Sequence, residues 1–261
     1  IVTTWFERGA AYVSKELEKV FISQGYDVYI FARGGEMYAR KDSKWNSKNV
    51  LWSYPGIFNF SGTPIKKNQF KKWIKKNNID TIIFNEQQSW EPVIWAKEFG
   101  CKTGSYIDYY KEDSISFFNI YDFLICNTKR HLSAFESHPN SIYIPWGTDT
   151  KLFTKENSLK LIDSNFKVKK DSSKINFFCS AGMNPSRKGV DTLINCIYEI
   201  KNDNIKTFIH CQKDIKKVFP HLIDKIKTLE NNGCLTLING TFSAPGLYFL
   251  GDFYIYLSKL D

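Results

Sequence analysis

Short apolar runs that alternate with amphipathic stretches are the feature that most limits how this chain can fold. Each run is bounded and short enough to be a buried strand, and several of the stretches between them repeat apolar residues at helical spacing, as Leu193, Ile194 and Ile197 do. Strand, helix, strand order favours parallel sheets with right-handed crossovers. The sequence therefore predicts an α/β fold. The predicted strands are Ile1–Thr4, Asp27–Ala32, Val50–Trp52, Asp80–Phe84, Thr103–Ile107, Asp122–Cys126, Ser141–Ile144, 175–179, 205–211, 234–238 and 253–257.

Composition adds limits on size and compartment. With 261 residues, 43% of them hydrophobic, the chain can bury one large core or two small ones. The six cysteines show no metal-ligand spacing, and we expect them to be reduced, buried thiols. The four histidines form no cluster, so no zinc site is predicted. The sequence shows neither a signal peptide nor a run of 18 apolar residues, so no membrane-spanning segment is predicted, and the reduced thiols predict a cytoplasmic protein.

The net charge of +9 is compatible with nucleic acid, an anionic membrane surface or small anionic substrates. Lysines are spread along the whole chain, and no RNA-recognition, KH, helix-turn-helix or zinc-finger pattern accompanies them. We therefore predict that the protein does not bind nucleic acid, although a basic nucleic-acid-binding protein stays as a third interpretation.

A basic loop follows the predicted strand 175–179 and precedes the predicted helix 190–201. It contains Gly182, Arg187, Lys188 and Gly189, so it places two cations at the mouth of a helix. Free backbone N–H groups and the positive end of the helix dipole would add to these cations. The pattern predicts a receptor for phosphate oxygens, the alternative being an ordinary turn with solvated cations.

Two further loops follow predicted strands. Trp5–Gly9 joins the first strand to a helix and lacks the G-x-G-x-x-G pattern, which disfavours a nicotinamide dinucleotide site. Glu86 follows the strand Asp80–Phe84, at the sheet edge where open α/β sheets bind ligands. It is interpreted either as a hydrogen-bonding partner of an acceptor or as a cap of the next helix.

The predicted helix Lys66–Asn77 carries Phe70, Trp73 and Ile74 on one stripe between pairs of lysines. One interpretation is an interfacial helix on anionic lipid. The favoured interpretation is a stripe that faces the core, with a solvated basic back.

Three stretches, TWFERGAAYVS, SAGMNPSRKGV and IPWGTDTKLF, together resemble retaining glycosyltransferases of family 4. In the third, Pro145, Gly147, Asp149 and Phe153 match the hinge between the family's domains. The resemblance implies a GT-B architecture, in which two Rossmann-like domains with parallel sheets face each other across a cleft. It assigns residues 1–146 to the acceptor side and 147–261 to the nucleotide-sugar donor.

The resemblance also implies site residues. Gly9, Gly182, Lys188 and Gly189 match the positions that approach the donor diphosphate, and Arg187 is inferred to replace an arginine that is usual at Met183. Glu7, Arg8 and Glu86 are expected to contact the acceptor or the transferred sugar. Two acids are expected to be catalytic: Asp108, which matches the acid of a His-Asp pair whose histidine place holds Ile107, and Asp261, at the first position of the family's Glu-x7-Glu motif.

The implied activity is transfer of a sugar from a UDP- or GDP-sugar to a glycan or lipid-linked acceptor with retention of configuration, without a metal or other cofactor. Because the second acid of the motif would follow residue 261, we expect an incomplete second domain and an inactive fragment. Peripheral contact with an anionic membrane on the inner face stays open. The alternative is a non-catalytic GT-B-like protein that binds a nucleotide or a membrane.

Overall fold

Two sheets organise the chain. The computed structural model describes residues 1–33, 39–53, 65–87, 89–156, 168–242 and 244–259. It divides into a first unit, Ile1–Gly147, and a second unit, Thr148–Asp261. The division lies one residue after the end of the predicted acceptor-side domain, and the roles of the two units stay predictions.

The first unit contains a parallel sheet, which in the described residues has seven strands in the order β3-β2-β1-β4-β5-β6-β7. Its predicted strands are confirmed, with ends that shift by a few residues. Their bounds are Val2–Thr3 (β1), Ile30–Ala32 (β2), Val50–Trp52 (β3), Thr81–Asn85 (β4), Lys102–Ile107 (β5), Phe123–Cys126 (β6) and Ser141–Tyr143 (β7).

Helices connect these strands. They are Gly9–Ser23 (α1), Lys67–Lys76 (α2), Glu91–Glu98 (α3), the 3₁₀ helix Glu112–Ile120 and Lys129–Ala134 (α4). The start of α4 follows a local rule, because the hydroxyl of Thr128 accepts a hydrogen bond from the backbone N–H of His131 at 3.0 Å. The 3₁₀ helix was not predicted, since its sequence shows no helical apolar repeat.

The apolar stripe of α2 faces the core of the first unit. Phe70, Trp73 and Ile74 are all buried, and the ring of Phe70 lies 5.3 Å from that of Phe31 and 6.4 Å from that of Phe84. Burial of each such side chain contributes about 1.5–3 kcal/mol. The core-facing interpretation is confirmed, and this stripe is not available to enter a lipid surface.

The second unit contains a parallel sheet with the order β10-β9-β8-β11. In the described residues its strands are Ile175–Gly182 (β8), Ile205–Cys211 (β9), Leu235–Asn239 (β10) and Phe253–Tyr254 (β11). Its helices are Val190–Ile200 (α5), Ile215–Val218 (α6), the 3₁₀ helix Pro220–Leu222, Ile223–Asn231 (α7) and Ala244–Tyr248 (α8).

Two predictions for the second unit were wrong. A single helix over 214–230 was expected, but Pro220 lacks a backbone N–H and the chain breaks there into α6, a 3₁₀ turn and α7. Cys196 was expected to be buried with the other cysteines, yet it is exposed on α5 while the other five are buried. The helical stripe of α5 buries Leu193, Ile194 and Ile197 instead.

Within the described residues, no three His, Cys, Asp or Glu side chains lie together in a group that could hold a metal ion. No helix in the described part of the chain has the length and apolar character needed to cross a membrane.

Candidate functional site

Each sheet has one point at which the strand order reverses. In the first unit it lies at β1, which is flanked by β2 and β4, and in the second at β8, which is flanked by β9 and β11. Open α/β sheets bind ligands in the crevice beyond the carboxyl ends of the strands at such a point. The predicted phosphate loop follows β8, and the predicted acceptor residues follow β1 and β4. The topology therefore places both sets of residues where ligand sites form.

Glycines stand at both ends of the predicted phosphate loop, residues 182–189. Gly189 immediately precedes α5 and has a φ of 67°, in the left-handed region that side chains disfavour. A Cβ atom at this position would also collide with the backbone of Leu257. Gly182, at the other end of the loop, has a φ of 54°. The loop conformation therefore depends on glycine at both ends.

The two cations of the loop contact the segment that follows β11. The ammonium of Lys188 donates to the hydroxyl of Tyr256 at 2.7 Å and lies 4.4 Å from the centre of its ring. Nη1 of Arg187 lies 3.4 Å from Oγ of Ser258, and the carbonyl of Arg187 accepts from the backbone N–H of Lys259 at 2.9 Å. This pairing explains why β11 ends at Tyr254 rather than at the predicted residue 257: the chain leaves the sheet to follow the loop.

The expectation of free backbone N–H groups in this loop was wrong at five positions. The N–H group of Asn184 donates to the carbonyl of Ala181, and that of Arg187 donates to Oδ1 of Asn184. The N–H groups of Lys188, Gly189 and Val190 donate to the carbonyls of Asn184, Ser186 and Pro185. The turn satisfies these donors locally, so the side chains of Arg187 and Lys188 are the remaining candidates in this loop for contact with an anion, and that role stays a prediction.

The first turn of α5 also contains an acidic residue, Asp191. Asp191 accepts two hydrogen bonds from the ammonium of Lys259, at 2.8 and 2.9 Å. Partial burial raises the pKa of Asp191, but the bonds from Lys259 and from two backbone amides outweigh burial, so the net pKa lies below the usual value. An ionised carboxylate near a helix N-terminus is stabilised by the helix dipole.

In the first unit, Arg8 and Glu86 meet although 77 residues separate them in sequence. Nη2 of Arg8 lies 3.0 Å from Oε1 of Glu86, and the hydroxyl of Thr4 donates to Oε2 at 3.4 Å. Glu86 directly follows β4 with a φ of 55°, a conformation that few non-glycine residues adopt. The residue before α3 is Trp90, so the interpretation of Glu86 as a helix cap was wrong.

Gly9 begins α1 beside this pair. Arg8, the residue before it, makes no side-chain cap, and the first turn of α1 contains no acid. A Cβ atom built on Gly9 would meet no described atom within 4 Å. Among the described residues, none therefore covers the positive end of α1 on the side of Gly9.

Glu7 is not brought to the same place as Arg8 and Glu86. Its carboxylate accepts from the hydroxyl of Tyr12 and lies 2.8 Å from the ammonium of Lys44, which packs over the ring of Trp45. The structure gives Glu7 a packing role in this cluster, and its expected acceptor contact stays a prediction.

Of the two predicted catalytic acids, Asp261 lies outside the described residues. Asp108 directly follows β5, is half-buried and faces Tyr106. Burial, together with the smaller effect of the charge of Asp108, raises the pKa of Tyr106 to about 12. The catalytic role of Asp108 stays a prediction.

Arg33 is a candidate residue that the sequence analysis did not single out. It follows β2 at the same sheet edge and is only 4% exposed. Its Nη2 donates to the carbonyl of Asn85 at 2.9 Å, and burial lowers its pKa to about 10. An arginine directly after a buried strand was the available signal, because that position is the carboxyl edge of a parallel sheet.

No protein-family model and no curated protein matches this sequence. Solved structures do match its fold. A glycosyltransferase from Rickettsia africae has a TM-score of 0.68 at 16% identity, covering 98% of this chain and 72% of that one. HepE of Anabaena, in complex with UDP and glucose, has a TM-score of 0.68 at 11% identity over 98% and 73% of the chains. WaaG, a glycosyltransferase involved in lipopolysaccharide biosynthesis, has a TM-score of 0.64 at 14% identity over 99% and 75%. The two α/β units therefore have the GT-B fold.

Proposed function

We propose that this protein transfers a sugar from a nucleotide-diphosphate sugar to a glycan or lipid-linked acceptor, with retention of configuration. The observation that carries the proposal is the likeness in fold over nearly the whole chain to glycosyltransferases, including HepE in complex with UDP-glucose. The cationic loop at the strand-order reversal of the second unit supports it independently.

In this proposal the donor diphosphate binds at Arg187 and Lys188. The bond between the anomeric carbon and the diphosphate oxygen breaks, and its electron pair stays on that oxygen. Two cations at the leaving group stabilise the charge that develops there, which is the largest catalytic effect that such a site offers. The acceptor hydroxyl forms the new bond on the same face of the sugar, and its proton passes to the departing diphosphate.

Binding of the diphosphate requires a local exchange of partners. Lys188 gives up the hydroxyl of Tyr256, and Arg187 gives up that of Ser258, for phosphate oxygens. A phosphate oxygen carries negative charge and a hydroxyl does not, so the cations gain attraction between opposite charges in the exchange, which favours the bound ligand. In the first unit, the carboxylate of Glu86 can accept hydrogen bonds from acceptor hydroxyls.

Isothermal calorimetry with UDP and GDP tests the donor site. We expect Lys188→Ala and Arg187→Ala each to weaken binding of the preferred nucleotide by about 1.5–3 kcal/mol, the range for a hydrogen bond to a charged group. Lys225→Ala is the matched control, because Lys225 is also in the second unit and also lies over a tyrosine ring, that of Tyr198. Equal affinities in all four proteins would exclude this loop as the diphosphate site.

Turnover tests the chemistry. Incubation of the full-length protein with UDP- and GDP-sugars and candidate acceptors should release nucleotide diphosphate, and NMR of the product should show the anomeric configuration of the donor. A chelator should leave the rate unchanged, since Arg187 and Lys188 supply the positive charge. An inverted product would contradict retention, and nucleotide binding without transfer to any acceptor would favour the non-catalytic binder.

A further inference from the structure

Among the described residues, the crevice at the strand-order reversal of the first unit contains two guanidinium groups and one carboxylate that lie close together. Arg33, after β2, is almost fully buried, Arg8 is about one-third exposed, and Glu86 directly follows β4 on the other side of β1. Glu86 already forms an ion pair with Arg8 and accepts from Thr4, so its charge is shared. Among these three described side chains, positive charge thus exceeds negative charge.

Arg33 is the least satisfied member of this group. Its guanidinium donates to the carbonyl of Asn85 and, at 3.5 Å, to Oε1 of Gln87. Its Nε atom is buried and has no hydrogen-bond partner among the described residues. A buried cation is costly unless it is paired and hydrogen-bonded, so this side chain has unused capacity for an anion.

The backbone at Glu86 supports a ligand site at the same point. Its φ of 55° holds a charged residue in a sparsely populated conformation directly after β4. Residues held in this way cluster at ligand sites. This conformation places the carboxylate of Glu86 against Arg8, at the position where the oxyanion of a ligand would bind.

The N-terminus of α1 contributes the positive end of its helix dipole to the same region. The helix has 15 residues, no acid in its first turn and no side-chain cap, and no described atom lies within 4 Å of a Cβ position built on Gly9. In the second unit, by contrast, Asp191 occupies the first turn of α5. Backbone N–H groups at such a helix end favour bound oxyanions.

We propose that this crevice binds an oxyanion, a phosphoryl or carboxylate group, carried by the acceptor. Arg33 and Arg8 are its cations, and Glu86 is the internal carboxylate that it displaces from Arg8. The assignment of the anion to the acceptor rests on the proposed function. The binding of an oxyanion in the crevice does not.

Calorimetry with inorganic phosphate tests the site, in a background of Arg187→Ala and Lys188→Ala that removes the cations of the second unit. Arg8→Gln should weaken phosphate binding by roughly fivefold, because it removes a charge-assisted bond. Glu86→Gln should strengthen it by roughly fivefold, because it removes the competing carboxylate. Arg130→Gln, at an exposed arginine of α4, is the control and should change nothing. Equal phosphate affinity in all these variants would overturn the proposal.

Arg33 needs a conservative substitution, because truncating this buried side chain would create a cavity and could unfold the first unit. Arg33→Lys keeps the charge but removes the planar fork that binds oxyanions through two bonds, so phosphate binding should fall while the circular dichroism spectrum stays native. A folded Arg33→Lys protein with unchanged phosphate affinity would contradict the role of Arg33.

UDP binding by single variants in the otherwise unmodified chain separates the two sources of the anion. If the oxyanion belongs to the acceptor, Arg8→Gln and Glu86→Gln leave UDP affinity unchanged while Lys188→Ala lowers it. If both substitutions change UDP affinity, the crevice holds the donor diphosphate and the acceptor assignment is wrong. A protein that binds phosphate in this pattern but binds neither UDP nor GDP would refute the proposed function and leave the oxyanion site standing.

Discussion

Single glycines near the two sites differ in what they tolerate. Gly189 has a left-handed φ and lies against Leu257, whereas Gly9 begins α1 with open space around its Cβ position. We expect Gly189→Ala to lower the free energy of unfolding by about 1–3 kcal/mol, the range for a strained backbone. Gly9→Ala should leave stability unchanged or raise it by up to about 1 kcal/mol, since alanine favours a helix.

The effect of an alanine substitution on activity should distinguish Gly9 from Gly189 as well. A ligand that approaches the backbone of Gly9 closely would be hindered by a methyl group, so Gly9→Ala should lose activity while keeping its stability. Chemical denaturation and turnover of the same preparations check both quantities. A stable Gly9→Ala enzyme with full activity would show that no ligand comes near this position.

At the scale of elements, the basic helix α2 is stabilised by its apolar face, which packs against the core of the first unit. Trp73 is 3% exposed and stacks on Phe70, while Lys72 on the same helix is exposed. Trp73→Ala should lower the free energy of unfolding of the first unit by about 3–5 kcal/mol, the usual cost of removing a buried aromatic side chain. Lys72→Ala should change it by less than about 0.5 kcal/mol. A small effect of Trp73→Ala in denaturant unfolding would revive the interfacial interpretation of α2.

The joint between β8 and β11 depends on an ionised acid. Asp252 pairs with Lys170 and accepts from the backbone N–H of Asn176 at 2.9 Å and from its side-chain amide at 3.1 Å. The bond from Lys170, followed by those from Asn176, lowers the pKa of Asp252 to about 2. Because the pKa is lower in the folded protein than the ordinary value of about 3.9, its contribution is present above pH 4 and is lost as the pH falls towards 2.

This linkage predicts a particular pH dependence for a variant. Asp252→Asn should destabilise the second unit at pH 7, and the difference from the parent should shrink as the pH is lowered from 4 to 2. Denaturant unfolding at several pH values measures it. A difference that stays constant down to pH 2 would mean that the charge of Asp252 does not hold the joint.

For the whole molecule, the net charge of +9 is the property most open to misinterpretation. Lysines lie along both units, and several are paired with acids, such as Lys67 with Glu98 and Lys216 with Glu230. We expect at most weak binding to DNA, without sequence preference, that falls steeply between 50 and 200 mM salt because it depends on counterion release. Fluorescence anisotropy with two unrelated duplexes checks this. Tight binding to one duplex at 200 mM salt would restore the nucleic-acid interpretation.

The sequence by itself determined the kind and order of the elements. The bounded apolar runs predicted the strands, and β3 and β9 have the predicted bounds, because burial of a short run in a parallel sheet is a local property of composition. The position of the cationic loop between β8 and α5 followed from the same pattern. The resemblance of three short motifs was enough to predict the GT-B fold, which the structural likenesses confirm.

Only the tertiary structure decided which side chains meet. Arg8, Arg33 and Glu86 converge because β1, β2 and β4 end at one sheet edge, and Lys188 contacts Tyr256 because β11 pairs beside β8. It also turned Glu7 towards Lys44 and satisfied the N–H groups of the phosphate loop within its own turn. Such contacts join residues far apart in sequence, or depend on the conformation of one turn, and local hydrophobic periodicity carries no information about either.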